Sequence, residues 1–286
     1  MVGALADAWR IVFLAIAAPI VGSTLLLAIA RVTGARWQGI EAPARFAPVL
    51  IVGGAAMGLA QLGSAVPPHL RLWMAWWAVG LRGAIAGAVL AYAAARLRRG
   101  ASVTFAAIVL AAYTALVTPV ASDWMLGQDP GHPVSAIGMM LTVAAIGAAA
   151  ALTLARGAGT PATRTDMTAL MIAAALGLGY LAYMDYLIVW FGNLPARVPF
   201  YLTRGTPAMT ALVSGALLAG WVVPVGALSM IGGERGARLA GMSVLVGLML
   251  FAGWWIAGGA VAVALACVGG GIAIAAVPGA RRRAHG

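Results

Sequence analysis

"YMDYLIVWFGNLPARVPFYLTR", residues 183–204, sets an aspartate inside an apolar run and then halts the run at Gly192, Asn193, Leu194 and Pro195. The run begins near Met167, so 167–191 is long enough to cross a bilayer as one helix. A carboxylate in such a helix is costly and marks either a paired charge or a functional group. Two prolines and two arginines follow at once, which places a short loop at the membrane surface.

The rest of the chain fits that reading. It has 286 residues, 63% of them hydrophobic and 9% charged, whereas a soluble domain carries about 25% charge. There is too little polar surface to coat a globule in water, so the chain is read as an all-α, polytopic transmembrane bundle forming one domain over 1–286. Nine spans are expected, at 11–30, 46–65, 72–95, 103–121, 135–155, 167–191, 207–231, 239–257 and 259–278. The N-terminus lacks a basic leader and a small-residue cleavage site, and its apolar stretch is read as a retained helix. The single Cys267 excludes an intramolecular disulfide and reads as a small buried hydrophobe.

All eighteen basic residues are arginine, giving a net charge of +11. They sit at span ends rather than in a stripe, which excludes a nucleic-acid interface and makes them topology signals. Alternate loops and the tail hold Arg31, Arg36, Arg45, Arg96, Arg98, Arg99, Arg156, Arg164, Arg235, Arg238, Arg281, Arg282 and Arg283. The opposite side holds Arg10, Arg71, Arg197 and Arg204. That bias predicts an outside N-terminus and a cytoplasmic C-terminus in a bacterial inner membrane. Trp9, Trp73, Trp76, Trp77, Trp124, Trp190, Trp254 and Trp255 fall at the predicted outer boundary, as an interfacial belt does.

Two charges lie within spans. Arg82 is about 15 Å deep and Asp185 about 9–12 Å deep at 1.5 Å per residue. The depths predict an ion pair, either structural or part of a proton or quinone site. Tyr180, Tyr183, Leu187 and Trp190 share one helix face, and Asp185 points away from it by about 200°. A second polar stretch, "TPVASDWMLGQDPGHPVSAIGMM" (118–140), reads as Pro119 ending a helix and Ser135 capping the next. Asp123, Trp124, Asp129 and His132 then fall in an outer loop. One His and two Asp make a poor metal site. No nucleophile triad, phosphate loop or zinc motif is present, and His69, His132 and His285 outside the spans argue against bis-His haem ligation.

These two loops resemble those of the polytopic membrane subunit of alternative complex III, a quinol:cytochrome c oxidoreductase; that subunit is related to polysulfide-reductase-type membrane subunits. The likeness rests on "SDWMLGQDPGHPVSAIGMM", "MDYLIVWFGNLPARVPFYLTR", "LRLWMAWWAVGLRGAIAGAVLAY" and "LLLAIARVTGARWQG", which together cover about 11–230. Matched positions are Arg82, Asp123, Trp124, Pro130, His132, Ser135, Gly138, Tyr186, Trp190, Asn193, Leu194, Pro195, Pro199 and Arg204. The chain departs from the pattern at Ala196 and Arg197, where the family has two glutamates, and at Asp185, where it has glutamine. It also lacks the first of the family's usual ten helices, and the charged residues of a later one.

The resemblance implies a subunit of a quinol-oxidising respiratory complex with no catalytic residue or metal of its own. Haem and iron–sulfur centres belong to partner subunits; membrane lipids and quinol (or quinone) are its other contacts. Arg82, Asp185, Tyr183, Tyr186, Asp123 and His132 are the candidates for a proton path or quinone contact. Trp124, Ser135, Trp190, Asn193, Pro195 and Arg204 are the loop signature. A secondary transporter and a membrane-embedded enzyme or assembly factor are the competing readings.

Overall fold

The computed structural model describes residues 2–62, 66–126, 129, 132 and 134–256, so the ninth predicted span and the arginine-rich tail lie outside the described residues. All regular structure among them is helical. Seven helices are long and apolar enough to cross a membrane: Leu5–Thr33, Trp76–Arg98, Val103–Trp124, Ile137–Ala155, Pro161–Phe191, Pro207–Ile231 and Gly233–Ile256. We label the elements α1 (Val2–Thr33), α2 (Glu41–Ala44), α3 (Val49–Leu59), α4 (Trp76–Arg98), α5 (Val103–Leu126) and α6 (Ile137–Ala155). Then follow α7 (Pro161–Phe191), α8 (Val198–Thr203), α9 (Pro207–Leu217), α10 (Val223–Gly226) and α11 (Gly233–Ile256).

The second predicted span differs from the expectation. Only the eleven residues of α3 are α-helical there, and α2 precedes it. The link is a tighter helical path: Phe46, Val49, Leu50 and Ile51 donate to carbonyls three residues back. Pro43 and Pro48 each remove a donor that a regular α-helix would use, so the chain winds in the 3₁₀ manner. Two further boundaries also move. Helix α5 runs through Pro119 to Leu126. Ser135 does not cap α6, which starts at Ile137 behind Ala136 with no side-chain cap.

Helix α6 is the hub, packed against α1, α5, α7 and α11. Its "AAAAL" segment, Ala148–Leu152, is buried throughout, because small side chains on every face let four neighbours approach together. The α3–α4 pair is closer still: a Cβ on Gly54 would strike the Gly83 carbonyl, and one on Gly83 the Gly54 carbonyl. Only glycine permits that backbone-to-backbone contact.

The two ends of the bundle differ chemically. At one end Arg31 lies beside Gly100, Arg238 beside Gly157, Arg164 pairs with Glu234 at 3.5 Å, and Trp37 donates to Asp166 at 2.8 Å. The alternate arginine loops of the sequence therefore meet at one end. The other end gathers Trp9, Trp73, Trp124, Trp254 and Trp255 with their ring partners.

One spanning helix is irregular. Between α9 and α11 the chain forms π-helical turns at Leu218–Val222 and Ala227–Ile231 around Pro224. Val223 donates to the carbonyl of Leu218, five residues back. The next bond in that register needs an N–H from Pro224, which has none. The carbonyl left over, Ala219, instead accepts the Ser243 hydroxyl of α11 at 2.6 Å.

Candidate functional site

The 183–204 stretch ends α7 by a defined mechanism. Asn193 has φ 46°, the sole non-glycine residue with positive φ among the described residues. Its N–H donates to Trp190 O, and the Leu194 N–H donates to Val189 O at 3.2 Å. This is a Schellman stop, with asparagine in the left-handed position and Pro195 just beyond. Pro199 then opens α8, where the missing N–H is no loss.

That turn folds α8 back onto α7. The Tyr201 hydroxyl donates to Asp185 Oδ2 at 2.5 Å, and His132 Nε2 lies 2.8 Å from the same oxygen. Asp185 is 6% exposed and His132 fully buried. The expected Arg82–Asp185 pair is therefore not formed; the partners of Asp185 are His132 and Tyr201. Equal depth leaves the direction of the two side chains open, and the polar run around His132 gives no sign that its ring is buried in the protein. An ionised Asp185 can only accept, and in that pairing Nε2 is the donor. Among the described residues the buried Nδ1 has no hydrogen-bond partner.

Aromatic and cationic groups clamp this cluster. Phe200 stacks on the His132 ring at 3.9 Å between centroids, and the Arg204 guanidinium sits 3.5 Å from the centre of the Phe200 ring. Arg204 donates to the carbonyls of Phe200, Trp254 and Trp255. The latter two belong to α11. Burial nevertheless holds Arg204 down to about 10, against the opposing pull of Asp129 and Tyr201. Burial, followed by the bond to Asp185 and its charge, pushes the Tyr201 hydroxyl well above the usual tyrosine value.

Tyr201 also borders a cleft of about 670 Å³ between α7, α9, the π-helical arm and α11. Tyr180, Tyr183, Tyr186, Trp221 and Trp254 line it. Tyr186 stacks on Trp190 and meets Tyr201 edge-on. Gly179 lets the Trp221 ring lie against α7, and the Trp221 indole donates to Ala175 O at 3.1 Å. Tyr180, Tyr183 and Trp190 are exposed on the face opposite Asp185, as the helical spacing predicts.

The remaining predicted residues form a separate cluster. Asp123, 1% exposed near the end of α5, accepts two bonds from Arg82, at 2.7 and 2.9 Å, and one from the Trp73 indole at 2.9 Å. Arg82 also donates to Trp73 O and lies 4.2 Å over its ring. This bidentate pair is closed on itself and joins α4 to α5. Trp124 packs edge-on against Phe13. Among the described residues no three His, Cys, Asp or Glu side chains converge as metal ligands.

Sequence reading missed Tyr201 and Phe200 as members of the site. The available signal was "PFYLTR" itself, an aromatic pair starting a short helix right after a helix stop. No family profile matches the chain, and no curated protein matches its sequence.

Proposed function

We propose that this chain is an integral membrane subunit of a quinol-oxidising respiratory complex of the alternative complex III kind, with His132, Asp185 and Tyr201 handling protons beside a quinol-sized cleft. The observation carrying this reading is the buried His132–Asp185–Tyr201 cluster abutting the aromatic cleft. In it a hydroxyl held at the lip of the cleft would accept a hydrogen bond from a quinol. The released proton would move through Tyr201 to Asp185, which His132 orients through Nε2. Haem or iron–sulfur centres of partner subunits would take the electrons. The topology that accompanies this reading is nine spans, with the arginine-rich end on the cytoplasmic side of a bacterial inner membrane.

Purification from native membranes in mild detergent tests the assembly: haem- and iron–sulfur-bearing subunits are expected to accompany the chain, and isolation alone would overturn the proposal. Within an intact complex, Tyr201→Phe and Asp185→Asn are expected to slow quinol-dependent electron flow by about 10²-fold, as loss of a proton-transfer group does. Normal turnover would reduce the cluster to structure. A secondary transporter is the reading favoured by the π-interrupted helix, since transporters build sites at helix breaks. It predicts solute uptake by the chain alone in proteoliposomes.

A further inference from the structure

A second cavity lies behind the aromatic cleft. It measures about 500 Å³ and runs among α1, α4, α5, α6 and α11. Its α6 lining extends from Ile137 to Leu152, about 22 Å of helix rise. The walls are almost wholly hydrocarbon, and the Tyr113 hydroxyl among them is already bonded to Thr142 at 3.1 Å. Such a space stays dry and takes apolar matter. Protein interiors hold few voids larger than a water molecule, so one this long calls for an occupant.

The two cavities meet at one layer of side chains. Ala144, Leu178, Leu248 and Phe251 line both of them and belong to a single hydrophobic cluster. Ala144 lies seven residues along α6 from Ile137, near the middle of the inner cavity's length, and its methyl is the smallest side chain of the partition. The chambers differ in chemistry. The cleft is bordered by Tyr180, Tyr183, Tyr186 and Tyr201, whereas the inner chamber offers carbon. Toward the bilayer the cleft is narrowed by Trp221, whose ring lies against Gly179 and whose indole is tied to Ala175 O.

The geometry points to one two-chamber site for a prenylated quinol, its ring in the aromatic cleft and its hydrocarbon tail passing Ala144 into the inner cavity. This rests on the quinol reading of the cleft, and adds that the tail is held by this chain rather than left in the bilayer. A hydroxylated ring and a hydrocarbon tail match the two chambers in that order. Passage needs a rotamer change of Leu178 or Leu248, which core side chains undergo.

The full chain in detergent, at one fixed micelle concentration, is titrated with a tail-free benzoquinol and with the same ring bearing a farnesyl tail. Bound ligand is counted by native mass spectrometry. The farnesyl form is expected to bind about tenfold more tightly, which filling roughly 60 Å³ of void would supply. Val117→Phe fills the inner cavity from α5, away from the cleft, and should remove that preference while leaving the affinity for the tail-free quinol unchanged. Ala144→Leu, which thickens the partition, should remove the preference too. Micelle partitioning of the tail is common to all three proteins, so the change in preference reports on the protein alone. A preference that survives both substitutions overturns the proposal and leaves the cleft reading standing, because the tail then lies in the bilayer. Farnesol binding as tightly as the farnesyl quinol overturns it as well, by marking a plain lipid cavity. Binding of neither quinol refutes the cleft reading itself, and the tail site with it.

Discussion

Replacing Asp123 by asparagine should destabilise the bundle far more than replacing Asp185. Asp123 is 1% exposed and accepts three hydrogen bonds, two from Arg82 and one from Trp73. An asparagine there would keep one acceptor and confront Arg82 with a donor, leaving a partly buried guanidinium without a counter-charge. Breaking a buried pair costs about 3–5 kcal/mol. The Arg82 side chain is 23% exposed, so solvent recovers part of this, and about 3 kcal/mol is expected. Arg82→Gln should cost a similar amount by stranding Asp123. The double variant should lose little more than either single one, giving a coupling of about 2–3 kcal/mol. Unfolding equilibria in mixed micelles measure all four species. The same cycle on Arg82 and Asp185 should be additive within about 0.5 kcal/mol. Additivity in the first cycle, or strong coupling in the second, refutes the pairing and restores the ion pair expected from depth alone.

Three further outcomes follow from particular atoms. Asn193→Val forces a β-branched residue into the left-handed region and should cost about 1–2 kcal/mol, while Asn193→Gly should be nearly neutral; thermal melts in detergent read both. Tyr201 binds its proton more tightly folded than unfolded, so its contribution to stability is whole below the ordinary value of 10.0 and is lost as pH rises above it. Wild type and Tyr201→Phe should therefore show the same tyrosinate absorbance at about pH 11, one unit above the ordinary tyrosine value, and an excess in wild type would contradict a retained proton. Gly179→Leu must evict the Trp221 ring from α7, shifting its fluorescence and lowering stability by about 1–3 kcal/mol, and an unchanged spectrum would show that the ring does not lie there.

How much of this was legible in the sequence depends on which force dominates. Hydropathy found the seven long helices, because it reports directly on transfer between water and lipid, and arginine bias grouped loops that meet at one end of the bundle. Helical periodicity separated Asp185 from the aromatic face of α7 correctly. Pairing was not legible, since equal depth says nothing of direction and more than one carboxylate was available to Arg82. Proline misled in both senses. Pro119 stayed within α5, as membrane helices tolerate, which carried Asp123 up into the helix. Pro43 and Pro48 turned a predicted span into a short α-helix approached through 3₁₀ turns. His132 looked like a loop residue; its burial is set by Phe200, which the helix stop at Asn193 brings back over it.

The grip of Arg204 on the end of α11 bears on how the protein is made. Ribosomes deliver chains N-terminus first, so His132, Asp185 and Tyr201 are synthesised before Trp254 and Trp255. Until those carbonyls arrive, Arg204 has its local partners Phe200 and Thr203 and the pull of Asp129. The contacts of Arg204 are thus complete only once Trp254 and Trp255 of α11 have been synthesised.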